Sequence, residues 1–249
     1  MRESVAAAAR RAVSNRRGRP AAAPVSDGVG SDGVASDGVA SGVVGSGVVG
    51  SGAPESSASD APVQERILAA ASRLFARQGF ALTTVQEIVE QAGVTKGAMY
   101  HYYTSKDDLL QQIYTRLLSL QSERLAAIAD SDRPVRDRLH EAAADVVVST
   151  LAHLDDAMVS WRSMHMLPPE RLAQVRADRR RYHERFRALI EQGQREGVLR
   201  TDLSPDLATH QFFGGVHHLG SWYHADGEMT AESIGGTFAE LLLRGLAPA

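Results

Sequence analysis

Apolar residues recur at three- and four-residue intervals from about Asp60 to the C-terminus, and no run alternates with the period of a strand. Val63, Ile67, Ala70, Ala71, Leu74 and Phe75 make one helical stripe. Asp60 is its predicted N-cap, Pro62 lies in its first turn and Gly79 ends it. A short second helix opens at Thr83 or Thr84, because Thr83-x-x-Gln86 and Thr84-x-x-Glu87 both fit a capping box. Ala92-Gly93 interrupts it, and a third helix runs from near Thr95 to about Tyr103. Ser105-x-x-Asp108 then opens a long helix that breaks at residues 130–134. Beyond it the pattern predicts helices over residues 135–154, 155–167 and 170–196, from Ser204-Pro205 to roughly His224, and from Thr230 to Leu246. The expectation is an all-α chain of about nine helices: a three-helix head over residues 61–108 and a larger bundle over 109–249.

The second and third helices, joined by Ala92-Gly93-Val94, have the proportions of a helix-turn-helix, whose second helix enters the DNA major groove. Thr95-Lys96-Gly97 places a hydroxyl, a cation and a bare backbone at a helix N-terminus, where unpaired N–H groups favour phosphate. Tyr100, His101, Tyr102 and Tyr103 follow, aromatic rings with polar tips that a fully buried helix would have to satisfy internally. On DNA such tips reach phosphates and thymine methyls. Lys106 sits at the start of the next helix, where a cation opposes the dipole and a nearby phosphate would explain it. A helix–Gly–helix string alone is weak, since any helical bundle contains one.

The whole stretch 64–114 resembles the DNA-binding domain of TetR/AcrR-type transcriptional regulators. Phe75 and Gly79, Thr83-Thr84-Val85, Ala92-Gly93-Val94, Lys96-Gly97, Tyr100-His101-Tyr102-Tyr103 and Ser105-Lys106 match in order and spacing. Met99 stands where Leu is usual, Tyr103 where Phe is common, and Asp107-Asp108 replaces a Glu. The resemblance implies a DNA-facing set of Thr84, Thr95, Lys96, Gly97, Tyr100, His101, Tyr102 and Lys106. Within it Thr95–Gly97 would meet bases, Tyr100 and Lys106 would hold phosphates, and Tyr103 would pack inward. It also implies a homodimer on an inverted-repeat DNA operator, released by a small-molecule effector.

Residues 115–246 resemble the divergent effector-binding and dimerisation region of the same family. Phe212, Val216, Leu219 and Tyr223 form one stripe and Ile234, Phe238, Leu241 and Leu242 another; both are candidates for a four-helix dimer interface, with intrachain core as the competing reading. Effector-pocket candidates are Met158, Trp161, Arg162, Met164 and His165 on the short helix, with Tyr182, His183, Phe186, Phe213 and His217 facing them. The C-terminal run SWYHADGEMTAESIGGTFAELLLRGL is similar to the TetR subgroup that controls fatty-acid and sterol catabolism, whose effectors are acyl-coenzyme A thioesters. A regulator of an efflux or other operon with a hydrophobic non-CoA effector is the alternative, and a helical scaffold that does not bind DNA a weaker one.

Composition alters this picture at its edges. Cysteine is absent from the 249 residues, which excludes disulfides, thiol nucleophiles and thiolate metal sites. No run approaches the ~18 apolar residues of a membrane span, so a cytoplasmic protein without a membrane partner is expected. Glycine-rich phosphate loops, G-x-S-x-G and H-E-x-x-H are missing, and Asp155-Asp156 and Asp107-Asp108 read as helix-start caps; no enzyme and no cofactor are expected. His210, His217 and His224 recur every seven residues, ~10.5 Å apart along a helix, too far to share one ion, so no metal is expected. Residues 1–20 carry six arginines against one acid, and residues 26–50 form five Gly/Ser/Val-rich pentapeptides, so residues 1–60 read as a disordered tail. The formal charge of −3 averages over these segments, since residues 61–106 carry five basic groups against three acids. Only two of 27 basic residues are lysine, and Lys96 and Lys106 bracket the proposed recognition helix.

Overall fold

The computed structural model describes residues 62–248, and among these there are nine α-helices and no strand. They are α1 (Val63–Gln78), α2 (Val85–Ala92), α3 (Lys96–Tyr102), α4 (Lys106–Ala129), α5 (Val135–Ala152), α6 (Leu154–Ser163), α7 (Pro169–Arg195), α8 (Pro205–His217) and α9 (Ala231–Gly245). Asp60 and the whole tail expectation lie outside the described residues.

Helices α1–α3 close around a small core of Ile67, Ala71, Leu74, Phe75, Ile88, Val89 and Met99, and α4 seals it with Leu109, Leu110 and Ile113. Local capping fixes the ends. Thr84 is the α2 N-cap in a full capping box with Glu87, which decides between the two threonines. Thr83 is buried, its hydroxyl donating to the Gly79 carbonyl at 2.8 Å. Gly93 ends α2 in the left-handed region at φ 63°, a conformation that costs a residue with a Cβ roughly 1–2 kcal/mol. Arg66 on α1 donates to the Ala92 carbonyl at 2.7 Å and the Gly93 carbonyl at 2.9 Å, so the orphan carbonyls of the turn are satisfied from inside the head.

In the larger bundle, α5 and α9 run in close contact. A Cβ on Gly235 would stand 2.9 Å from the Ala144 carbonyl oxygen and 3.0 Å from Val148, so a glycine is what lets these backbones approach. Phe186 of α7 is fully buried and stacks on Phe212 of α8 with centroids 4.9 Å apart. One boundary differs clearly from expectation: α8 stops at His217 instead of near His224. Leu219–Ser221 forms a single 3-10 turn, where Gly220 packs so closely on Met158 that a Cβ would lie 2.8 Å from it. Similarly, α6 ends at Ser163 and Met164–Met166 continues it as one 3-10 turn.

Replacing Gly235 by Ala gains helix propensity of about 1 kcal/mol, yet it pushes a methyl into backbone that cannot swing away. The expected outcome is a melting temperature several degrees lower; an unchanged or raised value contradicts the close α5–α9 approach.

Candidate nucleic-acid interface and effector cavity

The N-terminus of α3 is built as a platform. Thr95 caps it by accepting from the Ala98 N–H at 3.1 Å, which leaves Lys96 and Gly97 exposed on the outer turn. A Cβ on Gly97 would meet only the Thr95 hydroxyl, at 3.8 Å, so the backbone is open to a close ligand. Tyr100 and Tyr102 are 54% and 44% exposed, large values for tyrosine, and His101 lies edge-on to Tyr102 at 4.9 Å. Tyr103 turns the other way: it is 2% exposed and donates to the Gln64 carbonyl at 3.2 Å, pinning the end of α3 to α1.

Lys106 departs from its expected phosphate role. Its ammonium donates to the Phe80 carbonyl at 2.8 Å and the Thr83 carbonyl at 2.9 Å, and sits 4.4 Å over the Phe80 ring. The carbonyls of the α1–α2 turn satisfy the cation that opposes the α4 dipole. Thr84 is also committed to its own helix, accepting from the Glu87 N–H at 3.2 Å and donating to the Glu87 carboxylate at 2.8 Å. Bonds from the Thr84 N–H, then Gln78 and the Thr84 hydroxyl, hold the Glu87 carboxyl below its ordinary pKa. Of the two lysines, Lys96 is the one whose charge points outward.

A buried carboxylate joins this head to the bundle. Asp156, 4% exposed on α6, accepts from the Ser72 hydroxyl of α1 and from Arg116 of α4 at 2.6 Å. One turn further along α6, Ser160 donates to the Asp156 carbonyl at 2.6 Å. Asp156 is therefore no simple helix-start cap; its charge is matched across three helices. Asp155 beside it has a raised pKa, through burial first and the Asp156 charge second.

Ser160 and Trp161 also face a cavity of about 50 Å³ lined by α4–α8. Five of the expected pocket residues line it: Trp161, Tyr182, His183, Phe213 and His217. The other five do not. Phe186 is core, Arg162 and His165 are exposed, Met158 packs on Gly220, and Met164 is partly buried against the core. Tyr114, Leu117, Leu118 and Gln121 of α4, Val146 and Thr150 of α5, Arg179 of α7 and Val216 of α8 complete the wall. The polar signal there was Gln121 inside an apolar stripe; it donates to Ser149 and Thr150, both at 3.1 Å. His183 stacks on Phe213 at 4.0 Å, and Trp161 lies 4.9 Å from His217. Burial, then the Arg179 charge, pushes the His183 pKa down to about 3 and that of His217 to about 4. Both rings are neutral at pH 7. Of the other heptad histidines, His210 bonds to the Asp206 carbonyl at 2.8 Å and His224 is exposed beyond α8. Among the described residues no cluster of metal ligands occurs.

Residues 67–113 match the family described as bacterial regulatory proteins, tetR family, and residues 132–246 match the tetracyclin repressor-like C-terminal domain. The chain belongs to the TetR family. The HTH-type transcriptional repressor KstR2 of Mycobacterium tuberculosis is 24% identical over 182 residues, 72% of this chain and 90% of that protein. Its solved structure, a ketosteroid transcriptional regulator, superimposes with a TM-score of 0.70 over 76% of this chain and 96% of that one. The HTH-type transcriptional regulator YfiR of Bacillus subtilis is 30% identical over 60% of this chain and 74% of its own. AibR, solved in complex with isovaleryl coenzyme A and operator DNA, has the same fold, with a TM-score of 0.65 at 23% identity over 75% of this chain and 99% of that one. The relatives are regulators of transcription, and no described helix is long and apolar enough to cross a membrane.

In this TetR-family chain the stripes expected at a dimer interface are mostly internal. Phe212, Val216, Leu219, Ile234 and Leu242 are buried within the protomer, and Phe238 packs over Gly215. Tyr223 is half-buried against the core, and Leu241 alone of the set is well exposed, at 65%. The periodicity marked a face that the protomer itself covers. The exposed side carries Leu207 and Gly214 on α8, Trp222 after it, and Gly236 and Leu241 on α9; neither glycine has an atom within 4 Å of a virtual Cβ.

The two lysines separate by experiment. Lys96→Ala is expected to weaken DNA binding and lower the slope of log affinity against log salt by about 0.9, with thermal stability unchanged. Lys106→Ala is expected to lower the melting temperature by several degrees, because buried carbonyls lose their donor. Equal loss of salt slope in both variants would contradict the inward role of Lys106.

Proposed function

We propose that the chain is a repressor that binds an inverted-repeat operator as a homodimer and releases it when a small molecule fills the cavity. Residues 61–108 act as the reading head and residues 109–249 as the effector-binding and dimerising body. The observation that carries this reading is the surface of α3: Lys96, Gly97, Tyr100, His101 and Tyr102 are all exposed, and their polar tips have no side-chain partner among the described residues. Thr95–Gly97 meet base edges, Tyr100, His101 and Tyr102 hold the flanking backbone, and Thr84 presents the N-terminus of α2 to a phosphate. Two such heads, dimerised through the exposed faces of α8 and α9, reach successive major grooves. The action takes place in the cytoplasm, where the operator is.

The effector is an acyl-coenzyme A thioester. In favour stand the apolar, aromatic cavity, a second cleft of about 340 Å³ between α4 and α7 that shares Leu118 and Tyr182 with it, and the AibR fold neighbour solved with such a thioester. Arg181 and Arg185 line that second cleft.

The test is a gel shift and footprint on the intergenic DNA upstream of the chain's own gene. Two protected half-sites about one helical turn apart, lost on adding micromolar acyl-CoA, are expected. Full affinity for a single half-site overturns the dimeric reader. Release by hydrophobic compounds and not by any acyl-CoA overturns the thioester and leaves a regulator with a different effector.

A further inference from the structure

We infer that the buried end of the effector carries a carboxylate, and that Arg179 holds it. The inference rests on the reading of the α4–α8 cavity as the effector site and adds the chemistry of the group that reaches its floor.

Arg179 is the single cation in the cavity wall. Its one side-chain hydrogen-bond partner among the described residues is the Nε2 of His217 at 3.3 Å, and no carboxylate there lies within ion-pairing distance of it. Its neighbours on α7 differ. Arg181 pairs with Asp178 and Arg185 with Asp130, so the arginines of the outer cleft already have their counter-charges. A guanidinium presents five N–H donors in a planar fork, and here it has one imidazole acceptor. The rest of the wall is aromatic or neutral: Trp161, Tyr182, Phe213, His183 and His217 supply faces and no charge that would balance Arg179.

An effector that seals this cavity removes water from Arg179. An alkyl end would leave a desolvated, unpaired cation, which is costly. A carboxylate end would replace that water with two parallel, charge-assisted hydrogen bonds and leave the aromatic walls to the methylenes behind it. Phosphate groups of a nucleotide are the other source of negative charge. In a coenzyme A thioester the phosphates lie at the end remote from the acyl group, whereas a planar carboxylate matches the guanidinium fork. The outer cleft with Arg181 and Arg185 is where bulkier anions have room.

The experiment compares two thioesters of equal chain length on the full chain, glutaryl-coenzyme A and valeryl-coenzyme A, which differ by a terminal carboxylate against a methyl. Release of operator DNA and thermal shift are the readouts. Glutaryl-coenzyme A is expected to act at a concentration at least tenfold lower. That preference is expected to fall within twofold in Arg179→Met, or in Arg179→Gln should the first variant fail to melt cooperatively, and to persist in the exposed neighbour Arg180→Met. Equal or better action by valeryl-coenzyme A, or a preference that survives loss of Arg179, overturns the inference while leaving the thioester reading intact. Where neither thioester acts, the thioester reading falls and 3-phenylpropionate against 3-phenylpropanol decides the inference. A shift by the acid alone, dependent on Arg179, upholds it; equal shifts or none overturn it.

Discussion

The carboxylate of Asp156 is almost fully out of water and is bonded from two sides, by a hydroxyl from α1 and a guanidinium from α4. An isolated buried carboxylate would be expelled or neutralised, so the position of each partner is set by the need to satisfy it. Hydrogen bonds to a charged group contribute about 1.5–3 kcal/mol each, and removing one partner leaves the others uncompensated. Ser72 stands on the helix that backs the reading head, while Asp156 and Ser160 stand on the helix that walls the cavity. Arg116 lies on α4 between cavity residues Tyr114 and Leu117. Ser72 is thus one hydrogen bond away from α6, the helix that also carries the cavity residues Ser160 and Trp161.

The head shows the same economy of charge on a smaller scale. Arg66 and Lys106, two of its basic groups, point inward and satisfy carbonyls at the two turns that flank α2. They fix the angle at which α3 is presented without adding to the outward field. Lys96 is left as the cation of the recognition platform, beside a glycine with open space above its backbone.

Much of this was readable along the chain because it is local. Thr84 with Glu87, Thr95, Ser105 and Thr230 each cap a helix from within four residues, so most helix starts are visible without a fold. The features that escaped depend on segments distant in sequence. The donors of Lys106 go to carbonyls more than twenty residues upstream, and α8 ends before Gly220, which packs closely on Met158 of another helix. The apolar stripes of α8 and α9 were real, but periodicity says that a face is covered and not by what; here the covering is the protomer's own core. The cavity was half legible, through its aromatic residues. Gln121 and Thr150 gain meaning only when α4 and α5 are seen side by side, and Asp156 looked like a cap until Ser72 stood opposite it.

The most direct test of this account is the distance between the two reading heads when the Asp156 contact is weakened. The chain has no cysteine, so Gln91→Cys on the exposed end of α2 gives one spin label per protomer. Pulsed dipolar spectroscopy on the labelled dimer is expected to give a narrow distance distribution, broadened and shifted by Asp156→Asn and to a lesser degree by Ser72→Ala. A distribution that stays narrow and unmoved in Asp156→Asn would show that the buried carboxylate does not set the heads, and would contradict the account.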